Sequence, residues 1–151
     1  MKIDILTKKE IEKYLQISDP FLMIDIGRDI IPGKSANSIK YLDNDWFFEC
    51  HLKNELAMPG TLQLEAMLQT LVLSLYTLEE NIGKLAFVTE TRMKLLKKVS
   101  PNFTLKIETN IISNKRGIVI GTGVGKIDEY IVCKGEFKLI LPHNLPKIKI
   151  I

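Results

Sequence analysis

The stretch that decides the fold is residues 58–76, MPGTLQLEAMLQTLVLSLY. It predicts a long helix over 61–79, because Pro59-Gly60 is typical of a helix start and Asn81 and Gly83 are stop signals. Apolar residues lie on nearly every side of this helix, so other elements must surround it. The run is almost long enough to span a bilayer, but polar residues interrupt it and favour a buried helix of a soluble protein. These residues are Gln63, Glu65, Gln69 and Ser74.

The N-terminal third predicts a short helix and a hairpin. Thr7 and Glu10 have the spacing of a capping box, which predicts a helix over 8–15. The segment 20–42 predicts two strands joined by a turn at Pro32-Gly33. A short extended piece should follow at 46–51.

The C-terminal half has the character of a β-sheet. From residue 84 onward four segments are rich in β-formers and are separated by turn residues: KLAFVTETRMKLL, TLKIETNIIS, GIVIGTGVGKI and YIVCKGEFKLIL. They predict a strand followed by an antiparallel meander. The fold class is therefore α+β, with an antiparallel sheet of about five or six strands curled round one helix. We expect one domain over 1–151, with an irregular tail from about 142.

Composition narrows the functional classes. The chain has 151 residues, 46% of them hydrophobic and 26% charged, which is typical of a soluble globular protein. Two cysteines are too few for a disulfide framework, and the charged N-terminus does not resemble a signal peptide, so we expect a cytoplasmic protein with reduced thiols. A formal net charge of +3 is too small to indicate nucleic acid, and no membrane partner is expected. No metal or cofactor is expected either, since His143 has no cluster of ligands near it.

Glu65 and His51 form a candidate acid–base pair. Glu65 lies among Leu and Met residues of the long helix, and an ionised carboxylate buried there without a partner is costly, which favours the neutral acid. Gln69, one turn further along, is placed to hydrogen-bond this carboxyl group and orient it. His51 precedes a loop, and neutral imidazole is the usual general base at physiological pH. From local features alone, a structural polar cluster around Glu65 and an ordinary loop histidine remain the alternative.

Three other sequence features have both a functional and a purely structural interpretation. Cys50 and His51 are adjacent, but neighbours on a strand point to opposite faces, which argues against a cysteine–histidine nucleophile. GTGVG at 121–125 lacks the spacing of a nucleotide-binding loop and favours a β-bulge or a close packing point. A set of basic residues suits an acidic protein partner or is simply a solvated strand face. It comprises Arg92, Lys94, Lys97, Lys98, Lys115 and Arg116.

The stretch from Pro20 to Gln69 resembles the FabZ-type β-hydroxyacyl-ACP dehydratases of the hot-dog fold, and the likeness covers about residues 17–141. Pro20 to Asp25 is similar to the family's Pro-Phe-Leu segment, which the family carries as a strand, and Pro32-Gly33-Lys34 is similar to its turn. The family's core signature has its counterparts at His51, Met58-Pro59-Gly60, Glu65-Ala66 and Gln69, without insertion or deletion. Three segments depart from the family pattern: Ile17-Ser18-Asp19 replaces a histidine-led block, Leu52-Lys53-Asn54 replaces Phe-Pro-Gly, and Phe87-Val88-Thr89 replaces Phe-Ala-Gly.

The resemblance implies a fold, an activity and an assembly. His51 and Glu65 are similar to the family's catalytic pair, and Phe87 and Thr89 fall where the acyl chain passes. The helix start at Gly60 and Thr61 presents free N–H groups to an enolate oxygen. The expected reaction is dehydration of a 3-hydroxyacyl thioester, carried by acyl carrier protein or CoA, in fatty-acid or related acyl-chain biosynthesis. The expected assembly is a homodimer with composite sites, of which three can form a hexamer. A hot-dog thioesterase and a non-catalytic acyl-binding subunit are the alternatives.

Overall fold

In the computed structural model, which describes residues 1–52 and 54–147, a seven-stranded antiparallel sheet surrounds one long helix. The strands are β1 (Ile3–Leu6), β2 (Ile26–Ile31), β3 (Ser35–Leu42), β4 (Phe87–Leu95), β5 (Phe103–Lys115), β6 (Ile118–Ile127) and β7 (Tyr130–Ile140). The helices are α1 (Lys8–Leu15), α2 (Trp46–Cys50) and α3 (Gly60–Tyr76), with 3₁₀ turns at Glu79–Asn81 and Pro142–Asn144. The strand order β1-β2-β3-β5-β6-β7-β4 leaves β1 and β4 at the edges. The predicted α+β architecture is confirmed.

The core lies between α3 and the sheet. α3 packs against β2, β3, β5, β6 and β7, and its Met67 and Leu71 are fully buried. A side chain added at Gly123 would collide with Met67, and one at Gly121 would collide with Leu71. Glycine therefore allows the backbone of β6 to approach α3 more closely than any larger residue would. GTGVG is a close packing point, as its sequence indicates.

The helix and the hairpin predicted for the N-terminal third are both confirmed. Thr7 caps α1, since its N–H donates to Oε2 of Glu10 at 2.7 Å and its hydroxyl accepts from the Glu10 N–H at 3.4 Å. Ile11 and Leu15 are the buried residues of α1, which packs on α3. The hairpin of β2 and β3 turns at Gly33, whose φ is +79°. Glycine adopts that conformation at little cost.

Several predicted boundaries are wrong. Residues 20–25 are irregular rather than strand, because β2 begins only at Ile26. Residues 46–50 are the helix α2 rather than an extended piece, and His51 caps its C-terminal end. The long helix starts at Gly60 and ends at Tyr76, three residues before the predicted end. The edge strand β1 was not predicted.

The tail is more ordered than its prolines indicate. His143 is exposed, as expected of a tail residue, and its Nε2 lies 2.9 Å from Oδ1 of the buried Asn81. The Asn81 amide in turn donates to the carbonyl of Leu75, near the end of α3, at 3.0 Å. The predicted tail continues to residue 151, and its last four residues lie outside those described. Within the described ranges, no helix is both long and apolar enough to cross a membrane.

We expect the substitution Gly123→Val to lower the free energy of unfolding by about 1–3 kcal/mol, because the added atoms overpack the contact with Met67. Thr122→Val is the matched control, since Thr122 is only half-buried, on the opposite face of the same strand, and should change stability by less than about 0.5 kcal/mol. Urea unfolding measures both. Equal stability of the two variants would contradict the close-packing interpretation.

Candidate active site

His51 stands at the end of α2 and is half-buried. Its backbone N–H donates to the carbonyl of Phe47 at 3.1 Å, and its Nδ1 lies 2.9 Å from the carbonyl oxygen of Ala57. A backbone carbonyl can only accept, so Nδ1 carries a proton in this contact, and in the neutral ring the lone pair is on Nε2. The contact with Ala57 therefore orients the ring through Nδ1.

The loop between His51 and α3 is held at both ends. Leu52 has a left-handed backbone, with φ +55°, and its side chain is exposed. Glu55 pairs with Lys98, and this hydrogen bond holds the pKa of the exposed Glu55 carboxyl below its usual value. The N–H of Met58 donates to the carbonyl of Val99 at 2.8 Å, which ties the loop to the segment after β4. Lys53, part of the segment that departs from the family signature, lies outside the described residues.

Glu65 is oriented by Gln69, which is buried. Nε2 of Gln69 donates to Oε1 of Glu65 at 3.0 Å and to the carbonyl of Phe21 at 2.9 Å. Oε1 of Gln69 accepts from the N–H of Met23 at 2.8 Å. The amide of Gln69 is thus fixed by the segment before β2, and it fixes Glu65 in turn. The sequence predicts a largely buried Glu65, but the side chain is half-buried in the single chain. The reason is its position in the second turn of α3, where the neighbouring Leu64 is also half-buried.

The start of α3 has no side-chain cap. Pro59 occupies the cap position, and its carbonyl accepts from the N–H groups of Leu62 and Gln63 at 3.0 Å. In the described part of the chain, no group accepts a hydrogen bond from the N–H of Gly60 or Thr61. A side chain at Gly60 would collide with Leu95 of β4, so glycine allows the edge strand to lie against the helix start. Free N–H groups at a helix start favour a negative charge.

Phe87 and Thr89 lie on the edge strand β4. Phe87 is exposed, and the pairing of β4 with β7 shifts register between Val88 and Glu90, which leaves Thr89 as the extra residue of a bulge. The Thr89 hydroxyl donates to the carbonyl of Lys138 at 3.2 Å. In the single chain these two residues therefore lie on a free sheet edge. Among the residues described, neither forms a hydrogen bond with Glu65 or His51.

The structure brings Glu65 together with Gln69 but leaves His51 separate. Among the described residues, no hydrogen bond and no ion pair links His51 to Glu65. Cys50 is on a helix, so the strand argument against a cysteine–histidine pair does not apply; its thiol instead contacts the carbonyl of Trp46 at 3.5 Å. Burial raises the pKa of the Cys133 thiol to about 11, so that thiol is protonated at neutral pH. The ranges described contain no group of three or more His, Cys, Asp or Glu placed to hold a metal.

The predicted basic set is exposed, and some of its members have local partners. Lys98 pairs with Glu55, Arg92 lies 4.0 Å from Glu136, and Lys97 lies 4.7 Å from the centre of the Tyr130 ring. These contacts favour the solvated-face interpretation for those three residues.

Sequence reasoning missed a charged pair at the start of α2, the helix that ends at His51. Lys40, buried in β3, lies 2.7 Å from Asp45, the residue before α2. Asp25 is 3.9 Å from the same ammonium group. The signal available was a lysine inside the apolar strand pattern SIKYL, followed five residues later by an aspartate.

We expect Gln69→Leu to lower the free energy of unfolding by about 2–4 kcal/mol, because it leaves the Met23 N–H and the Phe21 carbonyl without their partner. Gln63→Leu is the matched control on the same helix. Gln63 donates once, to Met58 at 3.0 Å, and its Oε1 is buried without a partner, so leucine there should cost about 1 kcal/mol or less. Urea unfolding compares the two, and a smaller loss for Gln69→Leu would refute the network.

Comparison with known proteins supplies the family. A family model described as the FabA-like domain matches residues 17–136. The 3-hydroxyacyl-acyl-carrier-protein dehydratase FabZ of Roseiflexus castenholzii is 38% identical over 124 residues, 81% of this chain and 87% of that protein. The dehydratase of the same name from Shewanella pealeana is 38% identical over 133 residues, 85% of this chain and 87% of that protein.

A solved structure supports the fold. The dehydratase heterocomplex ApeI:P from Xenorhabdus doucetiae aligns with a TM-score of 0.70 at 13% identity, covering 87% of this chain and 90% of that one. The sheet and its central helix are those of the hot-dog fold. The matched span includes His51, Glu65 and Gln69. The chain therefore belongs to the FabA-like family and, within it, to the FabZ-type 3-hydroxyacyl-ACP dehydratases.

Proposed function

We propose that this protein removes water from a 3-hydroxyacyl thioester on acyl carrier protein to give the trans-2-enoyl thioester, with His51 as base and Glu65 as acid. One observation supports the assignment: each group is oriented through one atom, while its other atom has no hydrogen-bond partner in the part of the chain that the structure describes. His51 is held through Nδ1, and Glu65 is held through Oε1. Nε2 and Oε2 are then available to substrate.

The chemistry needs both groups at once. Nε2 of His51 takes the proton from the α-carbon, and the electron pair of that C–H bond becomes the new C=C bond. The bond from the β-carbon to its hydroxyl breaks as Glu65 donates a proton, so water leaves rather than hydroxide. The proton on His51 then returns to Glu65 by way of solvent. No redox partner is involved.

The free start of α3 supports the same reaction. Loss of the α-proton places negative charge on the thioester oxygen, and the N–H groups of Gly60 and Thr61 are unpaired donors at the positive end of a helix. A fixed donor aimed at a developing oxyanion commonly contributes about 100-fold or more to the rate. Phe87 and Thr89 would border the acyl chain, and the β-branched Thr89 would narrow its path.

A homodimer completes the site in this proposal. β4 is an edge strand whose side chains are exposed on both faces, apart from Met93, including the apolar Phe87, Val88 and Leu95. An unpaired strand with apolar side chains is a template for another strand, and here a second copy of β4 would extend the sheet across two subunits. The absence of a link between His51 and Glu65 in one described chain fits sites shared between subunits. Three such dimers would form the hexamer.

A direct assay separates the proposed activity from its alternatives. The protein is incubated with a 3-hydroxyacyl thioester and, separately, with a saturated acyl thioester, each on acyl carrier protein and on CoA. We expect enoyl product from the hydroxyacyl substrate and no free thiol from either. Release of thiol would indicate a thioesterase, and loss of neither substrate would indicate a binding subunit; both results contradict the proposal.

Subunit mixing tests the composite site. His51→Ala and Glu65→Ala should each lose at least about 100-fold in kcat, since each removes a general acid or base. An equal mixture that exchanges subunits should recover about a quarter of the native activity, because half of the dimers are mixed and each has one intact site. Mass spectrometry of intact dimers verifies exchange. A mixture that contains mixed dimers and stays inactive would rule out shared sites.

A further inference from the structure

Lys40 is a charged residue in a place where charge is costly. It lies in β3 between Ile39 and Tyr41, and it is only 6% exposed. An ammonium group loses its hydration there and needs an acceptor nearby. Oδ1 of Asp45 accepts its hydrogen bond at 2.7 Å, and Oδ2 of Asp25 lies 3.9 Å away.

Asp45 depends on this contact. Its Oδ2 is buried and has no hydrogen-bond partner in the described residues, and its carboxylate does not cap the helix that follows. Asp25 is already engaged, because its Oδ2 accepts from the backbone N–H of Tyr41 at 2.8 Å. Lys8 also faces this cluster, but it pairs with Asp19 at 2.7 Å and stands 3.9 Å from Asp25. The Lys40–Asp45 pair is therefore the polar tie between the sheet and the start of α2.

α2 needs such a tie because it is a single turn. It spans Trp46–Cys50, and helices this short do not hold their shape by their own hydrogen bonds. Phe47 and Phe48 are buried, which keeps the turn in place, yet apolar contacts fix direction poorly. The indole of Trp46 adds one long hydrogen bond of 3.2 Å to the carbonyl of Pro20. His51 follows directly, with its N–H on the carbonyl of Phe47.

We propose that Lys40 is a positioning residue for dehydration: its buried ion pair with Asp45 sets the orientation of α2 and so holds the His51 ring with Nδ1 on Ala57 and Nε2 toward substrate. This inference rests on the proposed role of His51 as the base. The pair lies at the start of α2, at the end opposite His51, and in this proposal it acts on the base alone. Loss of the pair should therefore lower kcat and leave KM nearly unchanged.

Two variants separate positioning from simple stability. Lys40→Met removes the ammonium but leaves the Asp45 carboxylate buried and unpaired, so the protein should also lose stability. The double variant Lys40→Met/Asp45→Asn removes both charges and should recover most of that stability. A positioning role predicts that kcat stays about 10- to 100-fold below native in both variants, with KM within about threefold. Lys126→Met is the control, because Lys126 pairs with Glu108 at 3.1 Å on the exposed face of the sheet; its kcat should equal that of the native enzyme.

A spectroscopic readout needs no substrate. The chain has two histidines, so ¹⁵N-edited spectra of the imidazoles contain two sets of signals, and His143→Gln assigns them. We expect the native His51 to be the Nδ1–H tautomer and both Lys40 variants to show a tautomer mixture. Recovery of native kcat in the stable double variant, or unchanged His51 signals in it, would overturn the proposal. If instead the native protein fails to dehydrate any hydroxyacyl thioester, the proposed function fails, and the imidazole spectra still decide the role of Lys40.

Discussion

The burial of a largely apolar helix against a sheet that carries glycines is the constraint on which the rest of the structure depends. Met67 and Leu71 sit against the glycines of β6, so α3 is held along its length by close packing rather than by caps at its ends. A helix held in this way can keep an uncapped start. Its N–H groups at Gly60 and Thr61 have no acceptor within residues 1–52 and 54–147, and its second turn places Glu65 at the margin of the core. The packing that forms the core thus also leaves the start of the helix open for the role that we propose for it.

The parts of the fold that sequence predicts are those with local signals. A capping box, a Pro-Gly turn and strict alternation each act over a few residues, and α1, the hairpin and the meander follow from them. α2 was predicted as extended because five residues are too few for helical periodicity and its aromatic residues favour strands. Its Phe47 and Phe48 are buried in the core, a tertiary contact that no local pattern of residues shows. The edge strand β1 was missed for a related reason: only one of its four residues, Leu6, is buried, so alternation leaves little trace.

The candidate site likewise has parts that the sequence predicts and parts that it does not. His51 and Glu65 were identified by residue type and by spacing within a family signature, and Gln69 by its position one helical turn from Glu65. The groups that orient them are backbone atoms: the carbonyls of Ala57 and Phe21, and the N–H of Met23. Every residue has such atoms, so no pattern of residue types marks them. Lys40 did leave a signal, a charge in an apolar strand, but a lysine in a strand usually faces solvent. Only the fold shows that this one points inward.

The proposed sharing of the site between subunits accounts for the number of contacts that orient His51 and Glu65. If His51 of one subunit works with the Glu65 of the partner subunit, neither group can orient the other through its own backbone, so each must be aligned within its own chain before the subunits meet. For Glu65 the alignment runs through Gln69 to Phe21 and Met23. For His51 it runs through α2, which contacts Pro20 by way of Trp46 and the sheet by way of Lys40. Both routes end on the segment between α1 and β2. A buried ion pair seldom stabilises a fold more than an apolar pair would, but it is directional. A base whose acid lies on another subunit must be held in a fixed orientation. The directional Lys40–Asp45 pair supplies such an orientation, which accounts for a buried charge that stability alone does not favour.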